Sequence, residues 1–449
     1  MSELRTIARH AGTVLVGQLA VMSFGISDTL IAGRHSPQAL AVLSLAMSIY
    51  ISIYVALNGL LQALLPVWAE LHGAGRQAEL GRSVRQALYI AGGAALVGIG
   101  GLWFPELWLS ATEVPTALWP DVRAYLRILA LALLPSLLFR MYSTLNQSLG
   151  HPRLVTWLQA GALCVKVPLS FGLTFGGAGF AGMGVVGCAW ATLVVNTLMM
   201  LAGLWLLRTQ DIYPPYRLWR RPEPPDWPVI RRFLALGVPA GLSIMVEVTS
   251  FTLMALFIAR MGAVALASHQ IAASLASVLY MVPLALGIAS SARTGYWLGA
   301  GQARKARRAA GLGIGLAIGA AALGAGILFL GREAVANAFS TDPSVVQAAT
   351  LWLAWAALYH LADAVQAVCA TLLRCYRITL RPLLIYTALL WGVGLYGGYL
   401  LAYQGLDGAA WPMRPRVDTF WMTSTAALAL VSLLFTAMVW RASRIRPGH

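Results

Sequence analysis

Residues 232–260 read RFLALGVPAGLSIMVEVTSFTLMALFIAR, an apolar run bracketed by Arg232 and Arg260 and carrying one internal charge, Glu247. Roughly 20 apolar residues suffice for a helix to cross the hydrocarbon core of a bilayer. The run therefore reads as a membrane-spanning helix with a carboxylate inside it. An ionised acid at that depth costs several kcal/mol unless something pairs with it or hydrates it. Two more runs share the pattern: Val14 to Leu30 holds only Asp28, and Thr350 to Leu373 holds only Asp363. A chain that keeps three lone acids in oil is expected to use them to carry charge.

Working outward, the 449 residues are 59% hydrophobic and 11% charged, with a mean hydropathy of +0.72. A soluble protein of this composition would expose too much apolar surface. The expectation is an all-α integral membrane protein with about twelve spans, near 11–34, 43–69, 86–109, 122–149, 153–175, 183–207, 230–260, 264–297, 309–331, 344–374, 380–403 and 418–441. The net charge of +16 would suggest a nucleic-acid partner only if the basic residues formed one patch on a soluble domain. Instead they collect in alternate connections: Arg76, Arg82 and Arg85; Arg153; Arg208 through Arg232; Arg304, Lys305, Arg307 and Arg308; Arg374, Arg377 and Arg381. The opposite loops offer little beyond Arg34, Arg260, Arg332, Arg414 and Arg416. Basic loops stay in the cytoplasm, so both termini are expected inside, in a multi-pass protein of the inner (cytoplasmic) membrane, with the lipid bilayer as partner and no nucleic acid. The first helix lacks a small-x-small cleavage site and reads as retained. Cys164, Cys188, Cys369 and Cys375 show no metal spacing and read as packing residues.

Sliding the chain so that Arg34 falls on Arg260 also brings Ala39-Leu40-Ala41 onto Ala265-Leu266-Ala267 and Gly73-Ala74-Gly75 onto Gly299-Ala300-Gly301. This internal repeat predicts two six-helix lobes, 1–207 and 230–449, of parallel pseudo-two-fold topology around a central cleft. The intervening 208–229 contains Pro214-Pro215, Pro224-Pro225 and Pro228, and reads as a cytoplasmic linker because proline fixes φ and removes a donor. The acids break the symmetry, since Asp28 falls opposite Met254 and Glu247 opposite Val21. A duplicated scaffold with unequal charge favours a transporter over a passive pore.

Ser243, Glu247 and Ser250 share one helical face by their spacing, and so do Tyr359, Asp363 and Gln366. Counting 1.5 Å per residue, Glu247 lies roughly 20 Å from either flanking arginine and Asp363 roughly 16 Å from Arg374, so both sit near the midplane. Two acids at one level, with phenol and hydroxyl oxygens beside them, can hold Na⁺ or share a proton. The plainer alternative is a pair of buried acids hydrogen-bonded to their neighbours. Asp28 is expected either to pair with Lys166 across the amino half or to pair locally with Arg34 or Ser27, while Lys166 snorkels or contacts a backbone carbonyl. Arg127 and Arg140 are the other charges near membrane depth. Met22, Met254 and Met281, with Lys166, Gln366 and Asp28, are candidates to line a pliable substrate cavity, although Met on a membrane helix more often packs.

The stretches Ser27-Asp28-Thr29-Leu30-Ile31-Ala32-Gly33-Arg34, Pro239 through Glu247, and Tyr359 through Gln366 make the chain resemble the multidrug and toxic compound extrusion (MATE) transporters, in their NorM-like branch. The resemblance implies antiport of organic, often cationic, drugs and toxic compounds against Na⁺ or H⁺ by a monomer with no cofactor. It also implies that Asp28 is the amino-lobe acid and that Glu247, Tyr359 and Asp363 form a carboxy-lobe cation site. Lys166 departs from the family, where Asn commonly precedes the proline, and this leaves anionic or neutral substrates open. A flippase of lipid-linked or amphipathic molecules is the alternative within transport. An enzyme is disfavoured, because no phosphate loop or metal-ligand spacing is present.

Overall fold

A computed structural model describes residues 2–109, 116–177, 179–221, 223–404 and 418–445. Arg414 and Arg416, expected in an outer loop, lie outside the described residues. Among those described, twelve helices are long and apolar enough to cross a membrane. They are α1 (Glu3–His35), α2 (Pro37–Gly73), α3 (Gln77–Trp103), α4 (Thr116–Ser148), α5 (Pro152–Phe175), α6 (Val186–Thr209), α7 (Trp227–Ala259), α8 (Ala263–Gly299), α9 (Ala303–Phe339), α10 (Pro343–Cys375), α11 (Leu380–Tyr403) and α12 (Asp418–Arg444). Several begin well before the apolar run that revealed them, because backbone hydrogen bonds continue a helix through polar turns that hydropathy does not register.

Local sequence sets the ends and bends. Ser36 caps α2 by accepting from the Ala39 N–H at 3.0 Å, and Pro37 follows it. Asp342 caps α10 by accepting from Ser344 N at 2.8 Å, with Pro343 next. A side-chain acceptor satisfies an orphan N–H there, and proline has none to satisfy. α2 is interrupted at Ala63 and Leu64, just before Pro66, as expected of a residue that cannot donate to the preceding turn. α11 is wound as a π-helix over Ala388–Tyr396 and Leu400–Gln404.

The chain divides into two compact units, Gly12–Gly241 and Met1–Ala11 with Leu242–His449. In the first, α4 packs against α2, α3 and α6, and α5 packs against α6. In the second, α10 packs against α8, α9 and α12, and α11 packs against α12. The neighbour pattern therefore repeats, helix for helix, as the sequence repeat predicts. The seams between units fall inside α1 and α7. Ile7 and Ala11 of α1 belong to the hydrophobic core built from α8, α10 and α12, whereas Leu236 and Ala240 of α7 pack on Ala63 of α2.

The proline-rich connector is docked, not free. Glu223 pairs with Arg85 at 2.7 Å and Asp226 with Arg82 at 3.0 Å, while Gln86 donates to the Pro224 carbonyl and accepts from the Asp226 N–H. Tyr213 donates to Asn146 at 2.7 Å, and the Tyr216 hydroxyl lies 3.0 Å from His72. A Cβ on Gly81 would come within 1.7 Å of the Tyr216 carbonyl oxygen, so only glycine lets α3 and the connector meet.

Candidate functional site

In the unit Gly12–Gly241, Asp28 of α1 meets Lys166 of α5. The Lys166 ammonium donates to both Asp28 oxygens at 2.8 Å, to Ser170 at 2.9 Å and to the Cys188 carbonyl at 3.1 Å. Ser170 in turn donates to Asp28 at 2.9 Å. Lys166 and Ser170 stand one turn apart on α5, on one face, and Cys188 is in the first turn of α6. Lys166 is fully buried and Asp28 is 4% exposed. Tyr125 of α4, buried with its hydroxyl unpartnered, lies close enough to feel the Asp28 charge. Of the two pairings open to Asp28, the interhelical one forms, and its three ammonium hydrogens are spread over four acceptors. The carbonyl contact open to Lys166 forms beside the ion pair, at Cys188; Ser170 is the partner the sequence did not single out, although its spacing from Lys166 could have revealed it.

The other two acids lie together in the second unit. Asp363 of α10 is 3% exposed and accepts from Gln366 at 3.2 Å. Gln366 also reaches the Tyr386 hydroxyl of α11, at 3.4 Å. Tyr386 also neighbours Glu247, and the Glu247 and Asp363 charges are close enough to interact. Glu247, on α7, is only half-buried. Tyr359 sits edge-on to Phe251 and Trp421, with ring centroids 5.6 and 5.8 Å away, and its hydroxyl feels both carboxylates. Tyr280 of α8 has the same two acids as neighbours.

Two carboxylates, three phenols and an amide thus converge from α7, α8, α10 and α11. Oxygen donors of this kind suit a hard monovalent cation or a shared proton. Among the described residues, no salt bridge reaches Glu247 or Asp363, in contrast to Asp28. The spacing of Tyr359, Asp363 and Gln366 is realised as one face. Tyr386 and Tyr280 carry no charge and no motif, so nothing in the sequence singled them out.

The cavity candidates separate. Met254 is 4% exposed inside the hydrophobic core of its unit, whereas Met22 and Met281 are half-buried. Gln366 is buried beside Asp363 and Lys166 beside Asp28.

The MatE family profile matches residues 14–171 and 239–400. A probable multidrug resistance protein NorM of Aromatoleum aromaticum is 38% identical over 95% of this chain and 91% of its own length. The multidrug resistance protein PmpM of Pseudomonas aeruginosa is 33% identical over 99% of this chain and 92% of its own. Among solved structures, the eukaryotic MATE transporter AtDTX14 superposes with a TM-score of 0.88 at 18% identity, covering 99% of this chain and 98% of that one. The Vibrio cholerae MATE transporter VcmN in its bent form gives 0.85 at 16% identity, covering 99% and 97%.

Proposed function

The chain belongs to the MatE family, and from that premise we propose that it is a secondary active multidrug transporter, exporting organic, cationic or amphipathic compounds in exchange for Na⁺ or H⁺. It is not an enzyme. The observation that carries the coupling assignment is the contrast between its acids: Asp28 is saturated by Lys166, Ser170 and their neighbours, while among the described residues Glu247 and Asp363 have phenols and an amide beside them and no salt bridge. A carboxylate pair without a fixed counter-charge gains most from an arriving cation. Binding or protonation at Glu247 and Asp363, with Tyr386, Tyr359 and Gln366 holding them in place, changes which arrangement of the transporter is favoured. Substrate then leaves as the ion enters.

In this reading the protein lies in the inner membrane with both termini in the cytoplasm, on the strength of its basic connections. The test is substrate exchange in proteoliposomes under Na⁺ and pH gradients imposed separately. One gradient drives exchange in the parent, and neither drives it in Glu247→Gln or Asp363→Asn. Exchange at the parental rate in either variant would reject the reading.

A further inference from the structure

The amino half of a duplicated ion-coupled transporter would be expected to offer a second place for a cation, and Asp28 is the group that could do so. Here that place is taken from within the chain. Lys166 reaches Asp28 with its ammonium 2.8 Å from each carboxylate oxygen, is held by Ser170 and the Cys188 carbonyl, and is fully buried. We propose that Lys166 is a tethered counter-cation: it occupies the position at Asp28 that a free monovalent cation, a proton or a cationic substrate would need, and so confines ion exchange to the Glu247–Asp363 pair.

The surroundings of Asp28 support this assignment. On α5 it meets Lys166 and Ser170, on α6 the Cys188 thiol, and on α4 the Tyr125 phenol. Lys166 is the one positive charge among them. Its ammonium directs its three hydrogens to four oxygens, so an incoming cation would have to displace a group that cannot diffuse away. A tethered partner competes at an effective concentration in the millimolar range or above, and burial keeps water from replacing it. Opening a buried ion pair leaves two stranded charges, which is strongly unfavourable. The pair is thus a fixed neutral unit in the amino half, and Lys166 sets how many ions a transport cycle moves.

This inference rests on the coupling assigned above to Glu247 and Asp363. The closing experiment measures the ratio of ions to substrate exchanged by full-length protein in proteoliposomes, read from the imposed gradient that just halts net flux and therefore independent of rate. Lys166→Met, which frees Asp28, is expected to exchange one more monovalent cation per substrate than the parent. Asp28→Asn combined with Lys166→Met removes both charges at near-constant volume and is expected to return the parental ratio. A parental ratio in Lys166→Met, or a ratio below the parent in the double variant, overturns the proposal. Should Lys166→Met fail to fold, the double variant alone decides: the parental ratio upholds the tether and a lower one refutes it. Full ion coupling in Glu247→Gln would instead defeat the underlying assignment, an outcome distinct from either result at Lys166.

Discussion

Gly75 and Gly301 occupy the same position in the two halves and adopt the same left-handed backbone, φ +70° and +71°. The turns around them close with matching hydrogen bonds: Gly75 N to His72 O and Arg76 N to Leu71 O in one, Gly301 N to Leu298 O and Gln302 N to Trp297 O in the other. Left-handed φ disfavours a side chain by roughly 1–2 kcal/mol. Gly75→Ala and Gly301→Ala should each lower stability by about 1 kcal/mol, seen as a reduced thermal midpoint in detergent. Equal losses at the two sites would bear out their equivalence, and an unchanged midpoint at either would refute it.

Tyr386 presents its hydroxyl to Glu247 and Gln366. A hydrogen bond to a charged group contributes about 1.5–3 kcal/mol, so losing one shifts a binding constant roughly tenfold or more. Tyr386→Phe should shift the half-saturating concentration of the coupling ion by that order, upward for Na⁺, which loses an oxygen ligand, and downward for H⁺, because the carboxylate loses a donor that favours its charged form, and should leave the maximal exchange rate near the parent's. Ion titration of exchange in proteoliposomes provides the measurement.

Arg85 is nearly buried where it pairs with Glu223 and donates to the Arg217 carbonyl. Arg85→Ala takes the donor from the Arg217 carbonyl, leaves Glu223 its longer contact with Arg82 at 3.9 Å, and loosens the connector from α3. Limited proteolysis between residues 210 and 226 should quicken, by roughly tenfold for a loss of about 1.4 kcal/mol. Arg82→Ala, at a more exposed pair, should have a smaller effect. A connector equally resistant in Arg85→Ala would mean that the pair does not hold it.

Asp342 precedes α10, and its carboxyl is held below the usual range first by the Ser344 hydroxyl and then by the Ser344 N–H. With a depressed folded-state pKa, the cap's contribution is complete above the unfolded value, near 3.9, and fades as pH falls through the folded value. Amide exchange at Ser344 and Val345 should quicken, relative to mid-helix amides, only below that range. Asp342→Ala should remove the dependence.

The twelve spans and the repeat were legible because hydropathy and spacing are properties of single helices. Glu247 and Asp363 were legible as a pair for a related reason: one unusual charge per apolar run can be counted, and helical rise gives its depth. What meets across helices was not. Nothing in the spacing distinguished an Asp28 bridged to Lys166 from one paired with Arg34, because that choice depends on how α1 and α5 pack. Tyr386 and Tyr280 look like any aromatic on a membrane helix until the acids are seen beside them. The connector read as a linker from its prolines, yet Arg85, Gln86 and Glu223 make it a docked segment through pairings more than a hundred residues apart in the chain.

The way α1 and α7 are shared between units bears on how this gene could be taken apart. Fission at the repeat boundary, with the fragments co-expressed, would strand the opening turns of α1 on a piece lacking their hydrophobic partners on α8, α10 and α12. It would likewise separate the start of α7 from the α2 residues it covers. The cut that divides the sequence repeat evenly is therefore not the cut that keeps each packed core whole, and fragments ending at residues 11 and 241 would be the ones that respect the cores.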